Sequence, residues 1–326
     1  MDGTFVFVVC GAQEHIDTLH FSLRYIQKYS KNKILVLTDS TRNEIPVIHT
    51  DIVDVRTPIE LDNHQASIYL KTGIHRHLPE GEQYCYLDTD ILAISEDVDN
   101  IFHEFLPPIR FAPDHCKVNK FSPYAVNCKC MTDKTDARKV LQRALDAYAV
   151  TGTPALKKKA QLQKHFDKLK SDLPLKGYTA LRYALSRKKF RLNKEFWFDK
   201  KARVWYDNTD MPVIFEADTK RIEKETGLRY NRWKRTWVDA DGADVWLDDC
   251  DHLIERIKDK FGITVGDRKW QHWNGGVFLF NDQSHAFLDA WFEKTMDIFK
   301  DPNWKTRDQG TLIATAWEFG LDEHSN

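Results

Sequence analysis

Two carboxylates one residue apart, Asp88 and Asp90 around Thr89, follow directly on the apolar run Tyr84-Cys85-Tyr86-Leu87. Carboxylates at this spacing reach a single hard cation, which prefers oxygen ligands and can bridge a diphosphate. A cation held there neutralises negative charge as a phosphate group departs. An Asp-x-Asp triplet alone is a weak signal, because Asp is common in turns. Its place at the end of an apolar run gives it weight, since ligand sites of open α/β sheets lie beyond the carboxyl ends of strands.

The hydrophobic pattern predicts the elements that position this pair. Residues 5–10 and 33–38 are short apolar runs expected as buried strands, with a poorly defined third at 47–55. Residues 16–29 carry Ile16, Leu19, Leu23 and Ile26 at helical spacing, and residues 66–77 repeat the pattern with Ile68, Leu70 and Ile74. Further strands are expected at 109–112 and 124–131, then at 273–281, followed by helices around Phe287–Phe292 and from Arg307. Strands apolar on both faces and separated by helices predict an α/β fold with a mostly parallel sheet.

Composition narrows the function classes. The formal net charge of the 326 residues is −1, so no global field draws the chain to nucleic acid. The N-terminus lacks a basic leader, and no apolar stretch approaches the roughly 20 residues needed to span a bilayer, so a soluble, cytoplasmic protein is expected. Residues 156–203 are rich in Lys and Arg, including Lys157-Lys158-Lys159 and Arg187-Lys188-Lys189. A solvated helical surface accounts for them, and peripheral contact with an anionic membrane is the sharper alternative. The six cysteines read as reduced structural thiols. Cys128-Lys129-Cys130 after His115-Cys116 raises a zinc question, but C-x-C departs from the usual zinc spacing, and on the expected strand the two would merely share a face.

The segment Tyr86-Leu87-Asp88-Thr89-Asp90-Ile91-Leu92 resembles the Y-L-D-x-D motif of glycosyltransferase family 8 and its relatives of GT-A fold. Three further features follow in the family's order. Lys71 precedes the motif strand, Asn274-Gly275-Gly276-Val277 is similar to an N-A-G-V turn with Gly275 in place of Ala, and Asp308-Gln309 matches a downstream D-Q pair. The resemblance spans residues 1–131 and 265–322. It implies a GT-A-type, Rossmann-like nucleotide-sugar-binding core (1–131 and 265–326) with an inserted, mainly helical basic lobe (132–264).

The implied activity is metal-dependent transfer of a sugar from a nucleoside diphosphate sugar, a UDP-sugar by resemblance, to a glycan, glycolipid or other hydroxyl acceptor, with retention of configuration. Asp88 and Asp90 would hold Mn²⁺ or Mg²⁺. Cys10, Gly11, Ala12, Thr38 and Asp39 would border the nucleotide, with Lys71 near the diphosphate and Thr89 among the donor-binding residues. Asn274 and Gly275 would contact the donor sugar, Asp308 would accept from a sugar hydroxyl, and Gln309 would face the anomeric carbon. His15 is a further candidate for stacking on the base. Inversion would instead need a carboxylate base, for which Asp114 or an acid of the inserted lobe is the candidate. The sequence lacks the family's C-terminal H-x-x-G-x-K-P-W-type segment, and His324 stands in a different context, so the third protein ligand is open. Two rivals remain: a non-catalytic nucleotide-sugar or glycan-binding relative, and a haloacid-dehalogenase-type phosphatase using Asp88, Asp90 and the acidic pair Asp248-Asp249.

Overall fold

The fold is taken from a computed structural model that describes residues 3–147 and 153–322. The chain opens with β1 (Thr4–Val8), α1 (Gln13–Tyr29), β2 (Lys33–Thr38), β3 (Ile52–Asp54), α2 (Asn63–Thr72), β4 (Tyr84–Leu87), β5 (Arg110–Lys117) and α3 (Val118–Ala125). Then come α4 (Cys130–Asp146), α5 (Thr153–Ser171), α6 (Leu173–Leu185) and four strands, β6 (Lys189–Arg191), β7 (Phe196–Asp199), β8 (Val204–Asp207) and β9 (Pro212–Phe215). Helix α7 (Thr219–Thr226) and the hairpin β10 (Arg229–Asn231) and β11 (Thr236–Val238) follow. The last elements are α8 (His252–Phe261), β12 (Gln271–Phe280), α9 (His285–Ile298) and α10 (Gln309–Glu318). These form two compact units, Met1–Cys130 with Asp249–Asn326, and Met131–Asp248.

The first unit is built on a six-stranded sheet of order β3-β2-β1-β4-β12-β5. Strands β3, β2, β1 and β4 pair in parallel, and β12 runs antiparallel to both β4 and β5. Alternate residues of each strand face opposite layers. Phe5, Phe7, Ile34, Val36, Cys85 and Leu87 pack against Ile16, Leu19, Leu23 and Ile26 of α1. Val6, Val8, Leu35, Leu37, Tyr84 and Tyr86 face Leu70 of α2, Trp291 of α9 and Leu312 of α10. The result is a three-layer α/β/α arrangement around a mixed, mostly parallel sheet. Each large apolar side chain it fully buries contributes about 1.5–3 kcal/mol.

Two expectations need correction. Residues 249–264 belong to the first unit rather than to the insertion, because Leu253 and Ile257 of α8 bury against Val118, Ala125 and Ile313. Residues 124–131 do not form a strand: α3 ends at Ala125, α4 starts at Cys130, and Val126 makes only an isolated bridge to Trp304. The second unit holds more helix than strand, as expected, but it also carries an antiparallel sheet. Its antiparallel sheet β6-β7-β8-β9 buries Phe190, Phe196, Phe198, Trp205 and Val213 together with Leu162 of α5. A second cluster gathers Leu141, Ile222, Leu228, Trp237 and Val245. Short alternating strands such as Phe196-Trp197-Phe198 were hidden in the lysine-rich background. Among the described residues, no helix is long and apolar enough to cross a membrane.

Candidate functional site

A cleft of about 690 Å³ opens in the first unit where β1 and β4 end. Its lining includes Cys10, Lys71, Asp88, Thr89, Asp90, Asn274, Gly276, Asp308 and Gln309, gathered from widely separated parts of the sequence. Topology explains the convergence. Val277 pairs with Leu87 in the antiparallel β4–β12 ladder, so the residues before Val277 lie beside those after Leu87. The Asp88 N–H donates to the Gly276 carbonyl at 2.8 Å. On the other edge of β12 the register slips between Asn274 and Phe278, a bulge that bends the Gly275-Gly276 backbone at this point.

Space excludes a side chain at Gly276 and leaves a close but smaller constraint at Gly275. A Cβ on Gly276 would lie 2.6 Å from Asp88 Oδ2 and 2.9 Å from Asn274 Oδ1. One on Gly275 would meet Gln309 Oε1 at 3.2 Å and Lys71 Nζ at 3.5 Å. The Asn274 side chain turns back and accepts from the Gly276 N–H at 2.6 Å.

Lys71 sits in the last turn of α2, which starts from a capping box between Asp62 and Gln65. Its ammonium group lies 2.9 Å from Asp308 Oδ2 and 3.4 Å from Asp88 Oδ1, with the Lys71 side chain only 11% exposed. Burial disfavours the charged amine, but the two carboxylates outweigh it and raise the Lys71 pKa above its ordinary value. Burial likewise works against the Asp308 carboxylate, and Lys71 overcomes it, lowering the pKa. Asp308 occupies the position before α10 yet makes no side-chain cap hydrogen bond, so its carboxylate serves the cleft instead of the helix end.

Tyr86 donates its hydroxyl to Asp88 Oδ1 at 2.5 Å. Burial and then the Asp88 charge raise the phenol's pKa well above its ordinary value, so it stays a donor. One Asp88 oxygen is thus held by Tyr86 and Lys71. Asp90 is exposed and makes no hydrogen bond or ion pair among the described residues. The free Asp88 oxygen and the Asp90 carboxylate both border the cleft, and oxygen ligands of this kind are what a hard cation takes. Among the described residues no third His, Cys, Asp or Glu joins Asp88 and Asp90 in a compact ligand set, and His324 lies outside the described residues.

Gln309 opens α10 and bridges to β12. Its Oε1 accepts from the Gly275 N–H at 3.1 Å, its amide nitrogen donates to the Trp273 carbonyl, and that nitrogen lies 3.1 Å from His272 Nδ1. His272 is buried, which lowers its pKa despite the nearby Asp114 charge. Its other ring nitrogen faces Cys116 Sγ at 3.4 Å and Asp114 at 3.7 Å, a group with metal-ligand spacing. Asp114 also lies 2.9 Å from His115.

Not every expected nucleotide contact lies in the cleft. Asp39 is buried and fully engaged, accepting from the Thr57 N–H at 2.9 Å, from the Thr57 hydroxyl at 2.7 Å and from Thr41, with Arg42 at 3.4 Å. Burial alone would raise its pKa, but the Thr41 and Thr57 hydrogen bonds pull it well below the usual carboxylate range. The Thr38 hydroxyl accepts from Asn43, and Thr38 lines a separate hollow. Gly11 has φ +102, a backbone conformation that favours glycine, and a Cβ there would also meet Asn63 at 2.9 Å. Ala12 borders a shallow hollow with Glu44. Cys10 reaches the cleft and donates to the Asn63 carbonyl, and burial pushes its thiol up to about 11.

The cleft also holds residues that the sequence did not single out: Tyr86, Thr18, His64 and Ser67, beside His15. Tyr86 was recoverable, since alternation along β4 places it on the same side as Asp88. Of the acidic pair 248–249, Asp248 is paired with Arg138 at 2.5 Å, and Asp249 accepts from Asn119 at 3.0 Å. No protein-family model matches this chain, and no curated protein matches it.

Proposed function

We propose that the cleft binds a nucleoside diphosphate sugar, in first place a UDP-sugar, and transfers the sugar to a hydroxyl acceptor. The observation that carries this reading is the grouping of Asp88, Asp90, Lys71, Asn274–Gly276 and Asp308–Gln309 around one cleft at the carboxyl edge of the parallel strands. The free Asp88 oxygen and Asp90 would hold a Mn²⁺ or Mg²⁺ ion, which would supply charge neutralisation at the donor's diphosphate. Lys71 holds Asp88 and Asp308 in fixed positions and keeps a positive charge at the cleft wall. Tyr86 fixes the Asp88 carboxylate in one orientation. The Asp308 oxygen not bound by Lys71 accepts from a sugar hydroxyl.

Retention of configuration is the course we favour. Gln309, oriented by Gly275 and Trp273, presents a neutral amide, which is too weak a base to activate an acceptor hydroxyl. Asp114, the carboxylate weighed for inversion, is not among the residues that line the cleft.

A panel of UDP-sugars incubated with and without Mn²⁺ tests the reading by UDP release. Metal-dependent release that disappears in Asp88→Ala and Asp90→Ala supports it. Donor binding without turnover points to a binding protein, and release of phosphate from phosphomonoesters points to a phosphatase; either outcome overturns it.

A further inference from the structure

Away from the cleft, the first unit brings together two short ligand pairs that are far apart in sequence. Cys128 and Cys130 lie before and at the start of α4, and Cys250 and His252 lie before and at the start of α8. One ligand atom from each falls within 4.8 Å of the others. Cys128 Sγ and Cys250 Sγ are 3.9 Å apart, and Cys130 Sγ lies 3.3 Å from His252 Nδ1. A tetrahedral zinc ion with Zn–S of about 2.3 Å and Zn–N of about 2.05 Å has S–S edges of about 3.8 Å and S–N edges of about 3.6 Å. The observed separations bracket those edges, and the sulfur–sulfur distance is far longer than a disulfide bond.

We propose that Cys128, Cys130, Cys250 and His252 form a structural zinc site.

The surroundings fit such a role. Ser122 is buried and accepts from the Leu253 N–H at 2.9 Å, which leaves its own proton for Cys250 Sγ at 3.1 Å. The Cys250 N–H is fixed by the Asn119 carbonyl at 3.0 Å. On the opposite side, the Asn127 N–H donates to the Asn303 carbonyl at 2.8 Å, which anchors the loop carrying Cys128. Outer-shell hydrogen bonds of this kind orient ligands and stabilise thiolate charge. Four protein ligands close the coordination sphere, as structural rather than catalytic zinc sites do. On binding, each cysteine releases its thiol proton to solvent, and the zinc centre carries one net negative charge. Thiolates select zinc over Mn²⁺ or Mg²⁺, so this site is chemically distinct from the Asp88–Asp90 pair and does not rest on the proposed activity.

Its position gives it a purpose. The first pair stands where the chain leaves the first unit, at Cys130, and the second pair where it returns, at Asp249. A metal clip there joins the two strands of chain that bound the long insertion, which removes loop-closure entropy from the unfolded state.

Metal analysis of the full chain, purified reduced with zinc supplied and then exhaustively dialysed, provides the test. One zinc per chain is expected, with a lower unfolding midpoint after chelation. X-ray absorption on the wild-type protein should report three sulfur ligands and one nitrogen. The zinc should persist in Asp88→Ala and in Cys116→Ser, and vanish in Cys128→Ser/Cys130→Ser. If that double variant fails to fold, His252→Ala combined with the wild-type absorption spectrum decides. Absence of stoichiometric zinc, an oxygen-dominated shell, a Cys128–Cys250 disulfide in its place, or loss of zinc in Cys116→Ser would each overturn the assignment.

Discussion

Lys71 Nζ and Asp308 Oδ2 stand 2.9 Å apart, although α2 and α10 lie at opposite ends of the first unit's sequence. Both side chains are nearly buried, at 11% and 18% exposure, so neither charge can be left to solvent if the other is removed. The more exposed Asp88 shares the lysine at longer range, and water screens that second contact. This contact ties the helix before the Asp88 strand to the helix that carries Gln309.

Removing the lysine should therefore cost more than a surface ion pair. Lys71→Met leaves Asp308 buried without its partner, and breaking a buried pair in this way costs roughly 3–5 kcal/mol. Denaturant unfolding checks this, and Lys71→Met/Asp308→Asn should recover part of the loss. A loss in the double variant equal to the sum of the losses in Lys71→Met and Asp308→Asn would show that the pair is not coupled.

Gly276→Ala tests the packing of the cleft with little change to the rest of the fold. The added methyl would meet Asp88 Oδ2 at 2.6 Å, so either the carboxylate or the β12 backbone must shift. Overpacking of this kind costs about 1–3 kcal/mol. Mn²⁺-dependent donor binding should fall sharply while the circular dichroism spectrum is preserved.

Asp39 gives a pH-dependent prediction. Its folded pKa lies below the unfolded value, so its contribution is present above about pH 4 and is lost as pH falls through the folded value. Asp308 acts in the same direction. Lys71, whose folded pKa is raised, keeps its contribution up to about pH 10.4 and loses it only above that. Asp39→Asn should cost about 1–3 kcal/mol at neutral pH and show a flatter loss of stability between pH 4 and pH 2, read from unfolding midpoints.

Much of the sheet was legible because its strands are apolar on both faces. The runs Lys33–Thr38 and Tyr84–Leu87 became strands with the expected bounds, and the helical spacing of Ile16, Leu19, Leu23 and Ile26 became the buried face of α1. The cleft was legible through order along the chain: Lys71, Asp88, Asn274 and Asp308-Gln309 do meet. What sequence could not decide was the direction of individual side chains. Lys71 resembles any lysine in a helix, Asp308 any residue before a helix, and Asp39 any turn aspartate, until the packing shows which way each points. The insertion's strands escaped notice because each is three or four residues long and lies among charged residues. The Cys128–Cys130 pair was equally opaque, since its partners Cys250 and His252 come from the far side of the insertion.

Calorimetric titration of UDP into the protein, with Mn²⁺ and again with chelator, tests the central claim most directly. Saturable binding is expected with Mn²⁺, at least tenfold weaker with chelator and in Asp90→Ala, which removes a carboxylate that no other described residue engages. UDP binding of equal strength with and without metal, or binding unaffected by Asp90→Ala, would contradict it.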